Sequence, residues 1–155
     1  MKLSKIRHWS LYAYLFGAVF LVDRITKWYA VNLEEPYSVT SWLSCDLVFN
    51  RGISTGLFHS PEHSTFIAVS FLILLITGGV AFYGITRLRH GHTIWGETLI
   101  VAGSLSNLLD RMLYGGVVDF VVVHCREWVF PVFNGADVAI VIGVFIMLIA
   151  NYKDV

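Results

Sequence analysis

The sequence predicts an all-α integral membrane protein: four transmembrane helices, with a small extracytoplasmic β-sheet formed by the outer loops. Three observations lead there. Only 14% of the 155 residues are charged and 56% are hydrophobic, whereas a soluble domain carries about a quarter charged residues. Apolar stretches near the roughly 20 residues needed to cross the hydrocarbon core recur along the chain. The basic residues, finally, gather in segments that fall on one side if the chain crosses four times. The net charge is zero, so no general attraction to nucleic acid is expected.

The first span is expected over residues 11–31. Lys2, Lys5 and Arg7 precede an apolar run from Leu11 to Val22, as in a cleaved leader. No small-x-small cleavage site follows, and Asp23 and Arg24 interrupt directly, so a retained span is the reading. The loop 32–64 holds Glu34, Glu35, Asp46 and Glu62 against Arg51. Its stretch from Tyr37 to Phe49 alternates loosely and reads as short strands turning at Asn50-Arg51-Gly52. The second span, 66–86, carries no charge, and a short link with Arg87, Arg89, His90 and His92 follows. The third span, 93–113, has Glu97 near one end and Asp110 and Arg111 near the other. The loop 114–131 contains a β-branched stretch, Val117 to Val123, and the fourth span, 133–151, carries Asp137 in its first turn. No repeat, linker or low-complexity tract interrupts, so residues 1–155 read as one membrane domain. Both termini and the basic link then face the cytoplasm, and the loops 32–64 and 114–131 face outward.

With that topology the polar groups of three helices reach one layer near the outer interface. Asp23 and Lys27 lie in the outer half of the first span, Asn107, Asp110 and Arg111 at the outer end of the third, Asn134 and Asp137 at the start of the fourth. An ionisable residue at mid-span costs about 2.5–3.5 kcal/mol on insertion scales, so such a layer calls for a function. Asp23 and Lys27 are i, i+4 neighbours able to pair. Gly103, Asn107 and Arg111 recur every four residues, with Gly103 allowing close helix contact and Asn107 able to bond across helices. Asp119, between Val117-Val118 and Phe120, adds a carboxylate in an apolar setting that would raise its pKa on burial.

Two carboxylates at one water-accessible site can share a proton. The ionised member activates a water while the protonated one polarises a carbonyl. Other nucleophile systems lack support: there is no HExxH or GxSxG pattern, no P-loop and no dinucleotide fingerprint. Cys45 and Cys125 have neither CxxC nor Cys/His ligand spacing. No metal site is expected, and both read as structural thiols whose pairing the sequence leaves open.

These residues carry a resemblance over nearly the whole chain. The segments are Asp23-Arg24-Ile25-Thr26-Lys27, Asn50-Arg51-Gly52 through Gly56, and Gly103 to Arg111 with its Asn107-Leu108-Leu109-Asp110-Arg111 ending. Gly116-Val117-Val118-Asp119-Phe120 and Phe133-Asn134-Gly135-Ala136-Asp137 complete the set. Together, in this order, they resemble the lipoprotein signal peptidases, or signal peptidases II, of the bacterial inner membrane. One departure is visible: the family's Asn-x-Gly-Ala-Ala-Phe-Gly reads here with Ile53-Ser54-Thr55 before Gly56.

The resemblance implies a cofactor-free aspartic endopeptidase of the inner membrane. It would cut a diacylglyceryl-modified prolipoprotein on the amino side of its lipobox cysteine, and would be a target of the cyclic peptide globomycin. Carried over by motif, Asp119 and Asp137 are the catalytic pair. Asn50, Gly52, Asn107, Arg111, Asn134 and Ala136 shape the pocket, and Asp23, Lys27 and Asp110 support it. Asp110 competes with Asp119 as partner of Asp137, but adjacent Arg111 would hold it ionised, whereas no cation follows Asp119 before Arg126. The rival class is a small transporter or channel subunit whose carboxylates relay protons or bind a cation. It would distribute such groups through the membrane depth or place them at its midplane, whereas here they cluster on the outer side and the cytoplasmic half holds only Glu97.

Overall fold

The computed structural model describes residues 2–52, 63–126 and 128–153. The altered segment Ile53-Ser54-Thr55 and Gly56 lie outside these residues. Helices α1 (Lys2–Val31), α2 (His63–Arg89), α3 (Trp95–Tyr114) and α4 (Gly135–Lys153) form the body. At the usual rise per residue they are about 28 to 45 Å long. Strands β1 (Tyr37–Ser38), β2 (Leu43–Asn50), β3 (Val117–Cys125) and β4 (Trp128–Val129) form one antiparallel sheet in chain order. The chain is therefore mostly helical with a small antiparallel sheet built from the two long loops.

Two stretches, Ser64–Arg89 and Gly135–Tyr152, are long and apolar enough to cross a membrane by length and composition. Helices α1 and α3 carry Asp23, Arg24, Lys27 and Glu97, Asp110, Arg111 respectively, which lowers their apolar content. Burial is inverted relative to a water-soluble core. Lys27, Asn134, Asp23, Asp110 and Ser106 are among the largest fully buried side chains, while Phe71, Leu75, Phe145 and Ile149 are more than half exposed.

Helix α3 lies in the middle, packed against α1, α2 and α4. Its approach to α4 is close enough to require glycine. A Cβ at Gly96 would lie 2.5 Å from the Gly143 carbonyl oxygen, and one at Gly103 would lie 2.6 Å from that of Ala136. At the far end of α3, Gly115 adopts φ 67° and turns the chain into β3.

The long pairing of the sheet joins β2 to β3, with Val48 opposite Asp119 and Asn50 opposite Val117. From Cys45 to Val48 the register slips by one residue, a bulge in β2. The hairpin between β1 and β2 closes over residues 39–42, where Val39 and Thr40 N–H groups both bond the Leu43 carbonyl. The turn expected at Asn50-Arg51-Gly52 instead ends β2, as an Asx turn with Asn50 Oδ1 accepting the Gly52 N–H at 2.9 Å. Phe133 then bridges to Val121, which brings the start of α4 alongside β3. Cys45 faces Val121, four residues from Cys125 along β3. That is about 13 Å of strand, beyond disulfide reach, and both thiols are free.

Candidate active site

The site is assembled where the N-terminus of α4 meets β3 and the outer half of α3. Asn134 is the N-cap of α4: its Oδ1 accepts the Asp137 N–H at 3.0 Å, and Asp137 Oδ2 accepts the Asn134 N–H at 3.2 Å. This is a reciprocal capping box, which fixes the Asp137 rotamer with the helix start. The same Asn134 side chain turns its Nδ2 to Asp119 Oδ1 at 2.6 Å and to the Val118 carbonyl at 3.3 Å. One fully buried asparagine thus ties the two carboxylates together. Asp119 Oδ2 accepts a second amide, Asn50 Nδ2, at 3.0 Å, from the diagonal position across the β2–β3 ladder. Asp137 Oδ1 accepts Asn107 Nδ2 at 2.8 Å from α3.

Asp119 is only 2% exposed. Burial first, and the charge of Asp137 second, push its pKa up to about 6, against the opposing bonds from Asn50 and Asn134. Asp119 and Asp137 line one cavity of about 200 Å³ together with Asn50, Gly52, Asn107 and Arg111. Ile73 of α2 and Ile140 of α4 give it apolar walls. Arg111 donates to the carbonyls of Arg51 and Gly52, and its guanidinium lies 5.4 Å from the Phe66 ring. It therefore anchors the end of β2 to α2 and α3.

Behind the cavity lies a buried ionic cluster between α1 and α3. Lys27 Nζ donates to Asp23 Oδ2 at 2.8 Å, Asp110 Oδ2 at 2.7 Å and Asn107 Oδ1 at 2.6 Å, which uses all three ammonium hydrogens. Arg24 reaches Asp110 Oδ1 at 2.6 Å. Asp23 also accepts Ser106 Oγ at 2.6 Å and, through Oδ1, the Ala136 N–H at 2.7 Å. A carboxylate from α1 thereby satisfies an orphan donor of α4's first turn.

All the residues named from the sequence are brought together, in two layers. Asn50, Gly52, Asn107, Arg111, Asp119 and Asp137 line the cavity, with Asn134 and Ala136 in the adjoining start of α4. Asp23, Lys27 and Asp110 stand behind. One pairing is corrected: Asp110 is held by Arg24 and Lys27, not by neighbouring Arg111. Adjacent helical residues point about 100° apart, so Asp110 faces α1 while Arg111 faces β2. Sequence reasoning passed over Arg24 and Ser106. For Ser106 the available signal was its i, i+4 spacing to Asp110, which puts both on one face of α3. Among the described residues no group of three or more His, Cys, Asp or Glu is placed to hold a metal ion.

A family model described as signal peptidase (SPase) II matches residues 15–153. The lipoprotein signal peptidase of Blochmanniella pennsylvanica is 36% identical over 141 residues, 88% of this chain and 85% of its own. That of Wigglesworthia glossinidia brevipalpis is 34% identical over 142 residues, 88% of this chain and 90% of its own. A solved structure described as a bacterial membrane enzyme superposes with a TM-score of 0.75 at 25% identity, covering 94% of this chain and 89% of that one.

Proposed function

The chain belongs to the signal peptidase II family, and from that premise we propose that it is an aspartic endopeptidase of the bacterial inner membrane. Its substrate is a prolipoprotein whose lipobox cysteine carries diacylglycerol, and it cuts on the amino side of that cysteine. All four helices cross the bilayer, both termini are cytoplasmic, and the carboxylates lie near the outer face. The observation that carries the reading is the linkage of Asp119 and Asp137 through Asn134 in one cavity.

The two carboxylates have different surroundings and hence different roles. Asp137 is bonded to Asn107, whose oxygen is held by the Lys27 ammonium. It takes the proton from the attacking water. Asp119 is hydrogen-bonded by the neutral amides of Asn50 and Asn134, and its raised pKa suits it to carry the proton that polarises the scissile carbonyl. Water adds to the carbonyl carbon, and the tetrahedral intermediate collapses as the cysteine nitrogen leaves with a proton from the dyad. The products are the signal peptide's carboxylate and the free amine of the lipidated cysteine.

The test is cleavage of a synthetic lipobox peptide by purified protein. The diacylated peptide is cut and the unlipidated one left largely intact, and globomycin blocks the reaction. Asp119→Asn and Asp137→Asn each lower the rate by orders of magnitude while retaining a cooperative melt. Near-wild-type cleavage by a folded Asp119→Asn would overturn the dyad.

A further inference from the structure

The other end of the helix bundle carries a second set of polar groups that the peptidase reading does not use. Arg87, at the end of α2, is 8% exposed and pairs with the 3% exposed Glu97 of α3 at 3.3 Å. The Arg87 guanidinium lies 5.7 Å from the Tyr83 ring, and Tyr83 Oη donates to Asn151 Oδ1 of α4 at 3.0 Å. A cavity of about 490 Å³ opens beside this cluster. Arg87, His92 and Thr93 form its polar side, and Ile146, Ile149 and Ala150 of α4 form its apolar side. A second cavity, of about 210 Å³, lies across the α2–α3 link, with Arg89, Trp9 and Tyr12 on its walls. Gly91, His92 and Thr93 line both, so the link is a partition between two basic hollows.

The geometry points to a binding site for a phosphate-bearing anion here, filled by the headgroup of an anionic phospholipid. The charges decide the sign: Arg87 and Arg89 lie at this end of α2, with His90 and His92 beside them as hydrogen-bonding rings, and Glu97 is the carboxylate paired into the group. A guanidinium already fixed by Glu97 and a ring loses little freedom when it meets a phosphate oxygen. The apolar side decides the class. Ile149 is 57% exposed on the lipid-facing surface of α4, so a ligand seated against Arg87 and Thr93 can continue as an acyl chain along that helix. A free anion would leave that wall uncovered. Trp9, 48% exposed beside the second cavity, sits as aromatic residues do at headgroup depth. The positive-inside topology puts this end in the cytoplasmic leaflet, where anionic lipid attracts such basic segments.

The experiment is thermal unfolding of the full chain in nanodiscs of phosphatidylcholine, with and without phosphatidylglycerol, alongside mass spectrometry of lipid kept through purification. Phosphatidylglycerol raises the melting temperature by on the order of 5 °C and is retained preferentially. The double variant Arg89→Gln/His92→Ala, remote from the carboxylates, loses most of that rise and of the retained lipid, while Lys153→Gln keeps both. Inorganic phosphate added to pure phosphatidylcholine discs separates the sources. No response to it supports the headgroup, and an equal rise overturns the lipid as occupant. Equal melting in both lipids, or a full rise in the double variant, overturns the site.

Discussion

Asp119 and Asp110 are both almost inaccessible carboxylates, at 2% and 0% exposure, yet their neighbours differ in kind. Asp110 has two cations on it, Arg24 and Lys27, within a cluster of two positive and two negative groups. Asp110→Asn leaves an uncompensated buried charge, and removal of one partner from such a cluster costs about 3–5 kcal/mol. The expected outcome is a large fall in melting temperature around α1 and α3. An unchanged melt would show that the cluster contributes nothing net. The hydrogen bonds found to Asp119 come from neutral amides, and burial raises its pKa from 3.8 to about 6 despite the more distant charge of Lys27. In the folded state it keeps its proton up to about pH 6, whereas in the unfolded chain it has lost it by about pH 4. Stability from this group therefore falls as pH rises from about 4 to 6 and stays level above, by roughly 3 kcal/mol in all. The difference in melting temperature between Asp119→Asn and wild type should grow through that window, because the amide cannot titrate. A constant difference would mean that Asp119 ionises normally. The apolar flanks of Asp119 were readable from its own strand. The partners of Asp110 were not, because they come from another helix and the adjacent Arg111 misdirects.

The helices express their chemistry through spacing, which is why most of the site was legible on them. On α3 the positions Gly103, Asn107, Arg111 face α4 and the cavity, while Ser106 and Asp110 face α1. The strands were less legible. The bulge in β2 and the closure of the first hairpin at residues 39–42 depend on pairing with β3, which lies far along the chain. The triple use of Asn134 depends in turn on Phe133 bridging to Val121. Glycines on α3 and α4 separate packing from function. A methyl at Gly143 would meet the Gly96 carbonyl oxygen at 2.7 Å, far from the carboxylates. One at Gly103 would meet Ala136 at 2.6 Å, within the capping box that holds Asp137. Both alanine variants should lose about 1–3 kcal/mol through overpacking. Assayed where both remain folded, Gly103→Ala should lose most of its cleavage and Gly143→Ala should keep it. Equal rates would mean that the start of α4 tolerates displacement.

At the scale of the whole molecule, several of the most deeply buried residues are charged, and many of the exposed ones are aliphatic or aromatic. Lys27 is 2% exposed and Asp110 0%, while Phe145 is 62% and Leu75 56%. In water such a surface would drive association, since soluble monomers rarely expose apolar patches beyond a few hundred Å². In a bilayer it is the solvated side, and the cost falls on charges unless they gather inside, as the Asp23–Lys27–Asp110 cluster does. The polar ends of the bundle then differ in kind. One carries the carboxylate cavity and the sheet, the other Arg87, Arg89, His90 and His92. Cytoplasmic loops collect Arg and Lys, so the proposed orientation has the basic end facing inward and the carboxylates outward. On the proposed function, a signal peptide crossing as a helix would present its cleavage point near the outer interface, and this orientation would bring that bond to Asp119 and Asp137. Reporter fusions after Arg89 and after Lys153 should therefore read cytoplasmic, and fusions near Glu62 and after Arg126 external. An external signal after Arg89 would mean that the orientation is reversed or that α1 or α2 does not cross. The outward placement of Asp119 and Asp137 would then fail.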